Sequence, residues 1–124
     1  MLRIAIVGTG NISHNHIQGY QEFADRCQIV ALVDIYPEKA QEKKERYGLT
    51  NATVFSSHQA LLESGLEVDI VDVCTPPYVH AEISIDALNA GKHVLCEKPM
   101  AASLEECDAM IAAQKASGKI LSII

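Results

Sequence analysis

The sequence predicts an α/β fold: a doubly wound parallel sheet of six strands. Three observations carry that expectation. Short apolar runs alternate with longer stretches of helical character along the whole chain. The runs are almost continuously apolar, as strands covered on both faces are. The first run, Leu2-Arg3-Ile4-Ala5-Ile6-Val7, stops on Gly8-Thr9-Gly10 and passes at once into a helix-compatible stretch from Asn11.

Leu2–Val7 is expected as the first buried strand, with Arg3 its one polar residue. Asn11–Ala24 reads as a helix, and Gln28–Asp34 as a second buried strand. Pro37 opens a helix with a Glu/Lys-rich face that runs to Tyr47, and Gly48 follows. Proline at the first helical position and glycine just past the last is the usual asymmetry. Thr53–Phe55 is a short strand, and Ser56 is placed to cap a short helix through Glu63. Val68–Thr75 is a strand ended by Pro76-Pro77. A helix from Tyr78 or Val79 to Ala90 closes on Gly91, and Lys92–Cys96 is the next strand. Ser103-Leu104-Glu105-Glu106 has capping-box spacing and opens a helix to Ser117. Gly118 closes it, and Ile120–Ile124 is the last strand. Six strands complete a sheet of order 3-2-1-4-5-6 with right-handed crossovers. Residues 1–124 are expected to form one domain.

The totals suit that picture. A chain of 124 residues is about one domain, and 48% hydrophobic residues can build one core. A formal net charge of -6 argues against nucleic acid or an anionic membrane as the main partner, since both require a basic face. The four cysteines, Cys27, Cys74, Cys96 and Cys107, form no C-x-x-C pair and lack metal-ligand spacing. They read as reduced thiols in a reducing cytoplasm. The first residues do not resemble a signal peptide, and no apolar run approaches the roughly 20 residues of a membrane span.

A strand that ends on glycines and turns into a helix leaves backbone N–H groups unpaired at the helix start. With the positive end of the helix dipole they form an anion site suited to a pyrophosphate. Gly8-Thr9-Gly10-Asn11-Ile12-Ser13 is a G-x-G-x-x-S loop. The first glycine allows the tight turn and the second lets backbone approach the ligand. Ser13 stands at the third, close-packing position. The bland alternative is a structural turn. Asp34 ends the second strand about 24 residues after Gly10, near the usual spacing of about 20. Its carboxylate would accept from ribose hydroxyls and repel a 2′-phosphate, which favours NAD over NADP; its bland role is to cap the next helix. Lys39 is the nearest cation and keeps NADP as the minority expectation.

Ligands in such sheets lie beyond the carboxyl ends of the strands, where strand order reverses. The fourth strand ends in Cys74-Thr75-Pro76-Pro77-Tyr78-Val79-His80, a stiff shelf suited to a flat ring. His80 either faces the nicotinamide region or caps and packs. The fifth strand ends in Glu97-Lys98-Pro99, which points Lys98 into the same crevice. A lysine there can favour negative charge on a substrate oxygen; otherwise it is a surface lysine. His14 and His16 are two apart and do not share a helical face, so no metal site is expected. One of them is expected to pack near the cofactor and the other to face solvent.

Gly8–Ile12, Ala31-Leu32-Val33-Asp34, Cys74–Glu82 and Ala90-Gly91-Lys92-His93-Val94-Leu95-Cys96-Glu97-Lys98-Pro99-Met100 occur in that order. With them the chain resembles the N-terminal half of the Gfo/Idh/MocA oxidoreductases over essentially its whole length. The Gly91–Pro99 stretch is the most specific part of the match. The resemblance implies a Rossmann fold in which Gly8, Thr9, Gly10, Asn11 and Ile12 bind pyrophosphate and Asp34 the adenosine ribose. It implies that Thr75, Pro76 and His80 line the nicotinamide side. Glu97 and Lys98 would sit by the nicotinamide and substrate, with Lys98 the residue of this half tied to catalysis. It also implies a cis bond before Pro99, and hydride exchange between NAD(P) and a carbinol of a sugar or cyclitol. The family carries a second α/β domain that supplies the acid–base pair and most substrate contacts. The chain stops at Ile124, so a dehydrogenase is expected of the parent and little turnover of this chain alone. The competing function is a nucleotide-binding or sensing module without chemistry. Self-association is expected, through apolar surface and an open edge beside the last strand.

Overall fold

The computed structural model describes residues 1–124. Six parallel strands form one sheet of order β3-β2-β1-β4-β5-β6. The strands are β1 (Leu2–Val7), β2 (Cys27–Val33), β3 (Thr53–Phe55), β4 (Ile70–Val73), β5 (His93–Cys96) and β6 (Leu121–Ile123). The helices are α1 (Ser13–Gln21), α2 (Pro37–Arg46), α3 (His58–Glu63), α4 (His80–Asn89) and α5 (Leu104–Ser117). The predicted strand order and number hold.

The period of two along β1 sorts the core. Ile4 and Ile6 face Ile17 of α1 and Ala40 of α2, with Ile29, Leu32 and Cys74. Ala5 and Val7 face the other way, toward Leu61 of α3, Ala81 and Leu88 of α4, and Met110 of α5. Both faces are therefore covered, which is why the strands read as continuous apolar runs. Arg3, the exception in β1, bonds the Asp69 carboxylate through its amide N–H, Nε and Nη2, and also reaches Glu67. These bonds tie the starts of β1 and β4 and hold the Asp69 carboxyl down at about 2.

Several boundaries move. Asn11 and Ile12 lie in a turn before α1, which ends at Gln21 rather than Ala24. β4 spans Ile70–Val73, shorter than Val68–Thr75. A 3₁₀ turn at Pro77–Val79 precedes α4. Ser57, not Ser56, caps α3: its side chain accepts from the Ala60 N–H at 3.1 Å. Ser103 caps α5 as expected, accepting from the Glu106 N–H at 3.2 Å. The Lys98–Pro99 bond is cis.

Candidate functional site

β1 and β4 lie side by side at the point where strand order reverses. Their C-terminal ends open into a cleft of about 650 Å³. One wall is the Gly8–Ile12 loop with Asp34, Ile35 and Tyr36; the other is Thr75, Pro76, Tyr78 and Val79. A smaller cavity of about 390 Å³ lies beside Met1, Cys27 and Leu49, away from these strand ends.

The glycines have different reasons. Gly8 has φ +97°, and a Cβ there would stand 2.8 Å from the Cys74 carbonyl carbon. Only glycine fits both that conformation and that approach of β1 to β4. A Cβ on Gly10 would meet nothing within 4 Å. Ser13 is fully buried, and its hydroxyl donates to the Gly10 carbonyl at 2.6 Å. The third loop position thus braces the turn.

The loop amides divide into two groups. Gly8 N–H donates to the Val33 carbonyl, and Thr9 N–H to Asp34 Oδ2 at 3.0 Å. The N–H groups of Gly10, Asn11 and Ile12 have no intramolecular acceptor. Three free donors at the head of α1, with its dipole behind them, make an anion site. Asp34 also accepts from the Thr9 hydroxyl at 2.7 Å and, through Oδ1, from the Tyr36 N–H at 2.9 Å. A carboxylate has about four acceptor sites. Three are in use, which fixes the group and leaves Oδ1 able to accept from a hydroxyl. Lys39 lies over the Tyr36 ring, 5.0 Å from its centre. Thr75 Oγ1 is buried without a partner at the cleft wall.

The fold brings Gly8, Thr9, Gly10, Asn11, Ile12, Asp34, Thr75 and Pro76 to one cleft. It does not bring His80 there. The His80 ring is fully buried, with Nδ1 2.8 Å from the Pro99 carbonyl oxygen and Nε2 2.8 Å from that of Thr75. The expectation that it lines a nicotinamide face is corrected: it is a strut between the ends of β4 and β5. Glu97 turns toward α1 and bonds His16. Lys98 is exposed outside the cleft, and its N–H donates to the Ile124 carbonyl at 3.1 Å.

The model of the family described as an oxidoreductase family with an NAD-binding Rossmann fold matches residues 2–124. The chain belongs to the Gfo/Idh/MocA oxidoreductase family. It is 36% identical over 121 residues to a D-glucoside 3-dehydrogenase of Escherichia coli, covering 98% of this chain and 34% of the relative. It is 30% identical over 118 residues to an inositol 2-dehydrogenase of Salmonella typhimurium, covering 95% and 34%. Among solved structures, the WlbA dehydrogenase of Bordetella pertussis in complex with NADH and UDP-GlcNAcA superposes with a TM-score of 0.92 at 34% identity. That match covers 99% of this chain and 34% of the other. The chain thus spans about a third of the length of these Gfo/Idh/MocA relatives.

One cluster in this Gfo/Idh/MocA domain escaped the sequence analysis. Asp72, in the middle of β4, is fully buried. It accepts from the Tyr20 hydroxyl at 2.6 Å and lies 2.7 Å from His16 Nδ1, while the other ring nitrogen reaches Glu97 Oε2 at 2.8 Å. His16 is therefore the histidine that packs inward; His14 is half-buried. Two signals pointed there: a carboxylate inside an apolar strand needs a partner, and His16 and Tyr20 are four apart on one helical face. The bond to Asp72 raises the pKa of His16, against its burial and with help from Glu97. Burial, with the nearby Asp72 charge, pushes the Cys74 thiol up, and burial lifts Cys96 to about 11. All four cysteines are free.

Proposed function

We propose that residues 1–124 form the NAD-binding domain of an oxidoreductase acting on a sugar or cyclitol carbinol. The observation that carries this is the set of three unpartnered amides, Gly10, Asn11 and Ile12, beside a fixed Asp34 carboxylate. The amides hold the diphosphate. Asp34 accepts from an adenosine ribose hydroxyl and disfavours a 2′-phosphate. Lys39, stacked on Tyr36, would have to leave that ring to meet such a phosphate, so NADP is the weaker ligand. Thr75 and Pro76 wall the nicotinamide side, where the orphan Thr75 hydroxyl finds a polar partner. When bound, the nicotinamide ring supplies hydride exchange with the substrate carbon. Lys98 is exposed at the end of β5 and does not line the cleft; we assign it the catalytic role of this domain for a substrate seated at the cleft's outer rim, where its ammonium would donate to the substrate oxygen and favour negative charge there.

The named relatives support a polyol or sugar substrate in the whole protein. No helix is long and apolar enough to cross a membrane, and the four free cysteines suit the cytoplasm. Thermal denaturation with added nucleotide tests the assignment. NAD should raise Tm, with a stabilisation of about 2.7 kcal/mol at a hundredfold excess over Kd. Asp34→Ala should weaken NAD more than NADP. No shift with NAD contradicts the cofactor assignment, and equal losses for the two nucleotides remove the role given to Asp34.

A further inference from the structure

The turn that carries Lys98 is gripped from both faces of the sheet. On one face His80 of α4 meets the Pro99 carbonyl. On the other, His16 of α1 meets Glu97. The His16 ring lies between two carboxylates, with Nδ1 2.7 Å from Asp72 and Nε2 2.8 Å from Glu97. An ionised carboxylate only accepts hydrogen bonds. With both carboxylates ionised, both ring nitrogens donate and the ring is an imidazolium, a cation beside the fully buried Asp72.

We propose that His16 is a positioning residue for Lys98. Its imidazolium pins Glu97 to α1, and so sets where the next residue, Lys98, stands over the nicotinamide end of a bound dinucleotide. The consequence for binding rests on the dinucleotide reading above; the clamp itself does not. The groups facing the ring are Tyr20 from α1, Asp72 from β4, Cys74 just past the end of β4, and Glu97 at the end of β5. Tyr20 and Cys74 both donate to Asp72, at 2.6 and 3.6 Å, and fix the carboxylate that holds the ring. The raised pKa of His16 follows from the same contacts. Its sign is definite: the clamp contributes fully below the ordinary histidine value of 6.5 and is lost as pH rises through the higher folded value. Above that, one nitrogen turns a lone pair toward a carboxylate.

Long-range proton–nitrogen NMR of the full chain reads the ring directly. Both His16 nitrogens should carry protons at pH 7, with a midpoint above that of an ordinary histidine; a neutral ring at pH 7 overturns the proposal. Glu97→Gln should lower the midpoint and move the Lys98 amide resonance, and an unmoved resonance counts against the clamp. Binding supplies a second readout. His16→Gln should weaken NADH about tenfold, the scale of one charged hydrogen bond, and leave ADP-ribose, which lacks the nicotinamide, within about twofold. Equal losses for both ligands overturn the positioning role. Should that variant fail to fold, the wild-type ratio of NADH to ADP-ribose affinity should fall across the His16 midpoint, and a flat ratio overturns the proposal. Failure of both ligands to bind wild-type protein removes the dinucleotide reading instead, and the ring spectra then decide the clamp.

Discussion

Gly8 concentrates two demands at one residue. Its φ of +97° excludes an ordinary side chain, and the Cys74 backbone stands where a Cβ would go. Gly8→Ala should cost about 3 kcal/mol or more, combining backbone strain with forced separation of β1 and β4. Urea unfolding measures this, and a loss below about 1 kcal/mol would show the approach to be soft. Gly8 was legible because a strand-to-helix turn at a strand end needs such a residue. Asp34 was legible for its type and spacing, but not its bonds: Thr9 and Tyr36 already hold it. His80 was left open because position on a chain does not say which way a ring turns. The buried carboxylate of Asp72 was the stronger clue, since burying a charge demands a partner, and that partner, His16, is 56 residues away in sequence.

At the scale of elements, types were readable and ends were not. Helix starts depend on which of two adjacent side chains reaches back to the backbone. Ser56 and Ser57 are both capable, and Ser57 does it. Ser57→Ala should cost about 1 kcal/mol while Ser56→Ala stays within about 0.5 kcal/mol. Chemical denaturation distinguishes them, and the reverse order would contradict the cap. Ser103 was unambiguous because Glu106 stands three residues on: the Glu106 N–H donates to Ser103 Oγ, and the Ser103 hydroxyl donates to Glu106 Oε1. β4 came out short at both ends: Val68, Asp69, Cys74 and Thr75 fall outside the paired ladder, although Cys74 N–H still reaches the Val7 carbonyl. Apolar character marks burial, whereas strand length is set by neighbours. The turn holding Asn11 and Ile12 likewise looked helical; their amides are free because they precede the first helical hydrogen bonds, as the first N–H groups of any helix do.

At the scale of the whole molecule, strand order followed from the alternation of buried strands and helices, because right-handed crossovers leave few parallel arrangements. Apolar surface and an open edge beside the last strand were also expected from the sequence. β6 is an edge strand, and Leu104, Ile120 and Ile124 are 81%, 64% and 51% exposed. Apolar groups beside an open edge favour pairing between chains. Light scattering should find dimers or larger species whose population rises with concentration, and a monomer at all concentrations contradicts this. Three amides are where a diphosphate would bind, and a nitrogen–proton correlation spectrum titrated with NAD addresses them one by one. Gly10, Asn11 and Ile12 should show the largest downfield shifts, with Thr9 moving less because Asp34 already holds its N–H. Shifts confined to other residues, or none at saturating NAD, would contradict the account.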